Sequence, residues 1–321
     1  MALTALMFAA FLFQAPAEPA ADARMLELAY ILEDIAVAHR TQGRAEQALD
    51  FFEMAVEIRR SLAESPRVEF ARGLTAVAIL RLKIYGPESA VEGLQRAIEE
   101  WDAAAPGDPL ALRPLEALAA IYRDQARYLE AQPLLLRLLR TREASSGPDD
   151  AELISSVDSL AYVEFGLRDF AAAEPLYQRL LDLWDKNAGP DHPMLALTLD
   201  KMAEFYAFQQ RYAEAEDCAT RALAIRTRLH VASLNQTGRI LLMEAKLPEA
   251  EDLYRRAVEI GDLARTPDEV MDPVLRIHAK ILRVLERPAE ADALETRVKD
   301  ALFRKADREG RRPSPVKFPS Q

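Results

Sequence analysis

A short element ending in alanine recurs along this chain at nearly even spacing. The intervals are 42, 41, 42, 42, 35 and 41 residues, and the recurring alanines are Ala48, Ala90, Ala131, Ala173, Ala215, Ala250 and Ala291. The residues before the alanine are also alike, as in Tyr128-Leu129-Glu130 and Tyr212-Ala213-Glu214. Self-similarity at such a period is typical of repeat architectures. The sequence therefore predicts an array of about seven repeats.

Each repeat is predicted to be two helices joined by a tight turn. In the fifth repeat, apolar residues at helical spacing precede the polar pair Gln209-Gln210 and resume at Tyr212. Small side chains at Ala203, Ala215 and Ala222 are expected to let the two helices approach closely, since a larger residue would overpack by ~1–3 kcal/mol. A composition with half of the residues hydrophobic, 29% charged and only 11 glycines also favours an all-α fold.

The fifth repeat also carries a family resemblance. Its residues Gly189-Pro190-Asp191-His192-Pro193, Tyr212-Ala213-Glu214-Ala215 and Arg221-Ala222-Leu223-Ala224-Ile225-Arg226 resemble the tetratricopeptide repeat of the kinesin light chain type, whose period is near 42. The resemblance covers roughly residues 25 to 304 and implies a right-handed α-solenoid of stacked helix-turn-helix repeats. The 35-residue interval before Ala250 indicates that the loop between repeats is lost there.

Some residues depart from the family pattern. Glu164, His39 and His278 stand at positions where the pattern places packing residues. The second and seventh repeats are the least orthodox.

The resemblance further implies that ligands contact the first helix of each repeat, on the concave face of the solenoid. Carried over by register, the candidate partner-binding residues are Arg113, Glu116, Arg123, Asp158, Tyr162, Phe165, Asp200, Glu204, Phe208, Asn235 and Arg239. Aromatic side chains beside carboxylates would suit a peptide with apolar and basic side chains. The alternative is that each of these charges lies on an ordinary solvated helix face.

Charge and residue usage argue against several other classes of function. A net charge of −11 disfavours binding to nucleic acid or anionic lipid, because both require a basic surface. Cys218 is the single cysteine and is expected to be buried and inert, while His192 is expected to form a turn and cap a helix. No catalytic arrangement, cofactor motif or metal-ligand spacing is evident, so the sequence predicts neither an enzyme nor a cofactor or metal.

The two ends of the chain differ from the array. Residues 1–23 are predicted to be a signal peptide, because Ala2–Phe13 is uncharged and apolar and small residues follow it. Twelve apolar residues are too few to span a bilayer, which needs ~20. Residues 24–304 are predicted to form the repeat array, and residues 305–321 a basic, proline-containing disordered tail. Export to the periplasm or medium follows if the signal is real; otherwise the chain is expected to be cytoplasmic.

Together these features predict a non-catalytic scaffold that binds a protein or peptide. One alternative is an intracellular regulatory or sensor subunit whose first packing helix is the apolar N-terminal segment. Others are a self-associating assembly protein and an enzyme or cofactor carrier built on helical hairpins. The sequence does not identify the partner or the oligomeric state.

Overall fold

The computed structural model describes residues 19–62 and 66–309. Within these ranges the chain forms thirteen α-helices, two short 3-10 helices and no strand, which confirms the all-α prediction. The α-helices are α1 Pro19–Thr41, α2 Ala45–Ser61, α3 Arg67–Tyr85, α4 Val91–Ala104, α5 Leu112–Asp124, α6 Tyr128–Ser146, α7 Leu153–Gly166, α8 Phe170–Ala188, α9 Pro193–Phe208, α10 Tyr212–Met243, α11 Leu247–Leu263, α12 Asp268–Val284 and α13 Pro288–Arg308.

The helices form seven hairpins, each with one recurring alanine near the start of its second helix. The pairs are α1–α2, α3–α4, α5–α6, α7–α8, α9 with the first half of α10, the second half of α10 with α11, and α12–α13. The first helix of one hairpin also packs on that of the next, as α3 does on α5 and α5 on α7. A layer of first helices of this kind is what the repeat pattern predicts.

The hairpin turns repeat with the same register. Five residues before the alanine, the backbone adopts the left-handed conformation in six hairpins, at Gly43, Ala126, Arg168, Gln210, Ala245 and Glu286. In each case the next amide donates to a carbonyl five residues earlier, as Arg127 N does to Tyr122 O at 2.8 Å and Arg211 N to Tyr206 O at 2.9 Å. This is the hydrogen bond that closes a helix in a Schellman motif. The backbone conformation of the turns therefore repeats with the same period as the sequence.

The recurring alanines lie at the helix contacts, with one exception. Ala48, Ala90, Ala131, Ala173, Ala250 and Ala291 have no exposed surface. Ala215 and Ala203 are only partly buried, whereas Ala222, for which a close helix approach was also predicted, has no exposed surface.

Helix α10 is the main irregularity of the array. It runs without interruption from Tyr212 to Met243, 32 residues, and serves as the second helix of the fifth hairpin and the first helix of the sixth. The stretch Arg226–Val231 contains neither glycine nor proline, whereas earlier repeats end at Gly147 and Gly189 in the left-handed conformation. The predicted loss of the loop is confirmed, and a continuous helix takes its place.

Two compact units make up the structure, and the boundary falls between Arg179 and Leu180, inside α8. In the first unit, one cluster of buried residues joins α2, α3 and α4 around Phe52, Val56 and Leu74. In the second unit, a cluster around Tyr254, Met271 and Val274 joins α10, α11, α12 and α13. Helix α13 continues to Arg308, four residues into the predicted tail. Residues 1–18 and 310–321, which hold most of the predicted signal peptide and tail, lie outside the described residues.

The difference between two of the recurring alanines predicts unequal responses to one substitution. Ala173→Leu is expected to lower the free energy of unfolding by about 1–3 kcal/mol, because the added side chain has no space at a fully buried helix contact. Ala215→Leu is expected to change it by less than about 1 kcal/mol, because that site is partly open to solvent. Urea denaturation followed by circular dichroism measures both. Equal losses would contradict the difference in packing described here.

Candidate partner-binding surface

The best-defined candidate surface is formed by the first helices of the third and fourth hairpins. We call it the α5–α7 face; its residues are Arg113, Glu116, Arg123, Ser155, Asp158, Ser159, Tyr162 and Phe165. It lies entirely within the first unit. Six of the predicted partner-binding residues are on this face, and the contact between α5 and α7 brings them together.

Arginine side chains join the two helices of the α5–α7 face. Arg123 on α5 donates from Nη1 to Ser159 Oγ on α7 at 2.9 Å, and from Nε to Asp124 at 2.9 Å. Arg142, on α6, donates from Nη1 to Ser155 Oγ at 3.2 Å and pairs with Glu116 on α5 at 3.1 Å. These bonds fix the spacing of α5 and α7, so the face is organised before any partner arrives.

Tyr162 is the aromatic side chain that this face presents to solvent. It is 45% exposed, and its ring meets the ring of Tyr128 edge-on, with 6.1 Å between the centroids. A hydrogen bond to Tyr162 raises the pKa of the Tyr128 phenol. A Cβ at Gly166 would lie 2.3 Å from the Tyr128 ring, so the absence of a side chain there lets Tyr128 lie against the end of α7. Tyr162 therefore packs against Tyr128, which is itself held against the end of α7.

Phe165 and Asp158 are less accessible than Tyr162. Phe165 is partly buried, and its ring centroid lies 6.2 Å from that of Phe170 at the start of α8. Asp158 is also partly buried, whereas Arg113 and Glu116 are exposed. An exposed aromatic ring surrounded by fixed charges of both signs can bind a peptide through apolar contact and charge-assisted hydrogen bonds.

The remaining predicted residues lie in the second unit, on α9 and α10. Asp200 on α9 pairs with Arg226 of its own hairpin, while Glu204 and Phe208 are exposed near the end of α9. Asn235 accepts the Tyr254 hydroxyl at Oδ1, 3.1 Å away, and so supports the packing of α10 on α11. Arg239 is exposed one turn further along α10. At roughly 1.5 Å per residue, Asn235 lies about 35 Å along α10 from its start beside Phe208.

A repeated side-chain pair explains why some predicted carboxylates are already engaged. In the first, third and fifth hairpins, an arginine eleven residues after the recurring alanine pairs with an acid fifteen residues before it. The pairs are Arg59–Glu33, Arg142–Glu116 and Arg226–Asp200. In the second hairpin the same positions hold Trp101 and Thr75, and the indole Nε1 donates to Thr75 Oγ1 at 3.0 Å. We call this contact the cross-hairpin pair. Its spacing was present in the sequence, and sequence reasoning missed it.

The three residues that depart from the family pattern are accommodated by polar or ring contacts. Glu164 is buried, and Gln132 Nε2 donates to both of its carboxylate oxygens at 2.9 and 3.0 Å. His39 stacks on Phe51 with 5.3 Å between the ring centroids. His278 is buried with Nε2 3.4 Å from Glu251 Oε1. Burial lowers the pKa of His278, although Glu251 opposes the shift. These residues act in packing.

The side chains most often used in catalysis also have structural roles. As predicted, His192 caps α9 by accepting the Met194 amide at 3.3 Å. Its ring also stacks on Trp184, with 4.9 Å between the ring centroids. Cys218 is buried, as predicted, and burial raises the pKa of its thiol. In residues 19–62 and 66–309, no group of three or more His, Cys, Asp or Glu could hold a metal ion. None of the helices described is long and apolar enough to cross a membrane.

A cavity of about 370 Å³ lies in the first unit between α2, α3 and α4. Its charged lining residues are Arg59, Arg60, Arg67, Arg96, Glu99 and Glu100. The rest of its lining is Leu62, Phe70 and Ala103.

Sequence profiles described as "Tetratricopeptide repeat" match the chain in several places. One matches residues 153–228 and 201–262, and a second matches 28–65 and 115–152. Together they cover more than half of the chain and follow the hairpins described above. The chain belongs to the tetratricopeptide-repeat family. Proteins of this fold are typically non-catalytic scaffolds and commonly bind other proteins.

Solved tetratricopeptide-repeat structures resemble this one in fold. The kinesin light chain-type repeats of Podosopora anserina superpose with a TM-score of 0.52 at 17% identity, covering 64% of this chain and 97% of that one. BtubC (BKLC) from P. vanneervenii gives a TM-score of 0.45 at 18% identity, covering 86% of this chain and 97% of that one. No curated protein sequence matches this chain. The kinesin light chain-like repeat predicted from the sequence is thus confirmed as a fold.

Proposed function

We propose that this tetratricopeptide-repeat protein is a non-catalytic scaffold that binds a protein or peptide segment on its α5–α7 face. The observation that carries the proposal is Tyr162, which is 45% exposed yet buttressed by Tyr128. Fixed aromatic side chains supply most of the binding energy at many protein interfaces, because little conformational entropy is lost when they are covered.

The charges around Tyr162 indicate the chemistry of the partner. Asp158 lies one turn before Tyr162 on α7, and Glu116 lies on the neighbouring α5. An apolar side chain would cover the tyrosine ring, and a basic residue beside it would be attracted by these two carboxylates, which already have partners within the chain. Arg113 adds a positive charge at the α5 side of the same face, whereas Arg123 is already bonded to Asp124 and Ser159. The partner is therefore proposed to be a short segment that combines apolar and basic residues.

A displayed library of random peptides, selected on the full chain, tests this proposal. Peptides that contain apolar and basic residues are expected to be enriched, and Tyr162→Ala is expected to weaken their binding at least about tenfold. Tyr212→Ala is the matched control, because Tyr212 is 67% exposed but lies on α10. Binding that survives Tyr162→Ala, or a selection that enriches nothing above an unrelated protein, would contradict the proposal.

A further inference from the structure

Two apolar positions recur at every junction between successive hairpins. One lies eight residues after the recurring alanine of a hairpin, and the other lies ten residues before the alanine of the next hairpin. The pairs are Val56 and Leu80, Ile98 and Ile121, Leu139 and Val163, Leu181 and Phe205, Leu223 and Ile240, and Val258 and Ile281. We call each pair a junction pair.

At five of the six junctions neither member is exposed: Ile98 and Val258 are partly buried and the other members are buried. Val56 and Leu80 belong to one buried cluster, at 6% and 4% exposure, and Val258 packs against the cluster that contains Ile281. Leu139, Val163, Leu181 and Phe205 are buried as well. The junction pair is therefore the apolar contact by which one hairpin packs on the next.

The junction between the fifth and sixth hairpins is different. Leu223 is 62% exposed and Ile240 is 47% exposed. Both lie on α10, and 17 residues of continuous helix separate them by roughly 25 Å, so they do not meet within one chain. The continuous helix thus leaves both halves of a junction pair in solvent.

Leu223 and Ile240 do not occupy the end positions of the array, where the outer face is expected to be polar. The first and last hairpins have no neighbour on one side, and the corresponding positions there hold Ala38 and Lys299. The fifth and sixth hairpins keep leucine and isoleucine, and the family profile continues across their junction from residue 201 to 262. The sequence therefore retains an apolar contact that one chain with a continuous α10 does not make.

We propose that a second copy of this chain makes that contact, in a dimer whose two α10 helices lie antiparallel. A two-fold axis beside Val231 and Ala232 would place Leu223 of one copy on Ile240 of the other, twice, as an isologous interface requires. The same register places Arg226 opposite Thr237 and His230 opposite Ser233, so no like charges face each other. The second copy supplies at each site the surface that the next hairpin supplies elsewhere in the array.

Cysteine pairing tests the register directly. Cys218 is first replaced by alanine, and chains carrying Leu223→Cys are mixed with chains carrying Ile240→Cys under mild oxidation. Covalent dimers are expected in the mixture and not in either chain alone, because a disulfide needs Cα atoms within about 7 Å and like positions would lie roughly 25 Å apart. With both cysteines in one chain, the disulfide is expected between chains on a non-reducing gel. A disulfide within one chain would show that α10 breaks and closes its own junction, and it would overturn the proposal.

Sedimentation equilibrium of the full chain measures the association without cysteines. The protein is expected to be a dimer, and Leu223→Lys is expected to weaken dimerisation about a hundredfold, because symmetry introduces the charge at two sites. Leu129→Lys is the matched control, since Leu129 is 74% exposed and lies on α6, in the first unit. Circular dichroism checks that each variant keeps its helices. A monomer at all concentrations, or equal effects of the two lysines, would overturn the proposal.

Discussion

Replacing Glu33 with alanine is expected to lower the free energy of unfolding of the first unit by about 3–5 kcal/mol. Glu33 accepts two hydrogen bonds from Arg59, at 2.7 Å from Nε and 3.1 Å from Nη2. The Arg59 side chain has no exposed surface, and that of Glu33 is only 15% exposed. Removal of the carboxylate would leave a buried guanidinium without its counter-charge, and an unpaired buried charge strongly lowers the free energy of unfolding.

The same pair in the fifth hairpin supplies the matched control. Asp200 and Arg226 occupy the equivalent positions, but their side chains are 41% and 49% exposed. Asp200→Ala is expected to cost at most about 1 kcal/mol, because water replaces much of the lost interaction. Urea denaturation of both variants measures the contrast. Similar losses for Glu33→Ala and Asp200→Ala would show that burial does not set the strength of the cross-hairpin pair.

A double substitution separates the pair's net contribution from the cost of breaking it. Glu33→Leu combined with Arg59→Met replaces both charges with apolar side chains of similar size. This variant is expected to be close to the parent chain in stability, because replacement of a whole buried ion pair is often neutral or stabilising. A loss as large as that of Glu33→Ala would mean that Arg59 also contributes through Tyr30, whose ring lies 4.4 Å from the guanidinium carbon.

The helical hairpins could be predicted because their signals are periodic. The recurring alanine fixed the register of all seven hairpins, and the short interval before Ala250 predicted the lost loop. The turns were harder to recognise, since non-glycine residues such as Arg168, Gln210 and Glu286 adopt the left-handed conformation there. The Schellman hydrogen bond stabilises that conformation, so the sequence needs no glycine at the turn.

The course of the chain after Ile225 could not be read from the sequence alone. A 35-residue interval is long enough for two helices with a short turn, and it is equally compatible with one continuous helix. The absence of glycine and proline between Arg226 and Val231 favours continuity, which the structure has.

The candidate site was predicted only in part, for a related reason. Register alone identified the residues of the α5–α7 face, and contacts between first helices bring them together. Register does not show which side chains are engaged within the chain. Glu116 and Asp200 pair with arginines of their own hairpins, and Asn235 holds Tyr254. Tyr162 is thus a stronger candidate for partner binding than the carboxylates around it.

Trp101 is expected to be the most important single side chain of the second hairpin, and Trp101→Ala to cost about 3–5 kcal/mol. This hairpin departs most from the repeat pattern, and Trp101 is 1% exposed in a cluster with Ala71 and Ala111. Truncation would remove a large apolar surface and leave a cavity that rigid helices fill only in part. The far-ultraviolet circular dichroism of a urea series measures the loss without depending on tryptophan fluorescence.

Two further variants separate the packing of Trp101 from its hydrogen bond. Thr75→Val keeps the ring in place but leaves the buried indole N–H without an acceptor, at an expected cost of about 1–3 kcal/mol. Trp101→Phe keeps most of the apolar contact and removes the donor altogether, so a loss well below that of Trp101→Ala is expected. If Thr75→Val leaves the free energy of unfolding unchanged, the hydrogen bond of the cross-hairpin pair does not stabilise the second hairpin. Trp101 would then contribute only through its apolar packing.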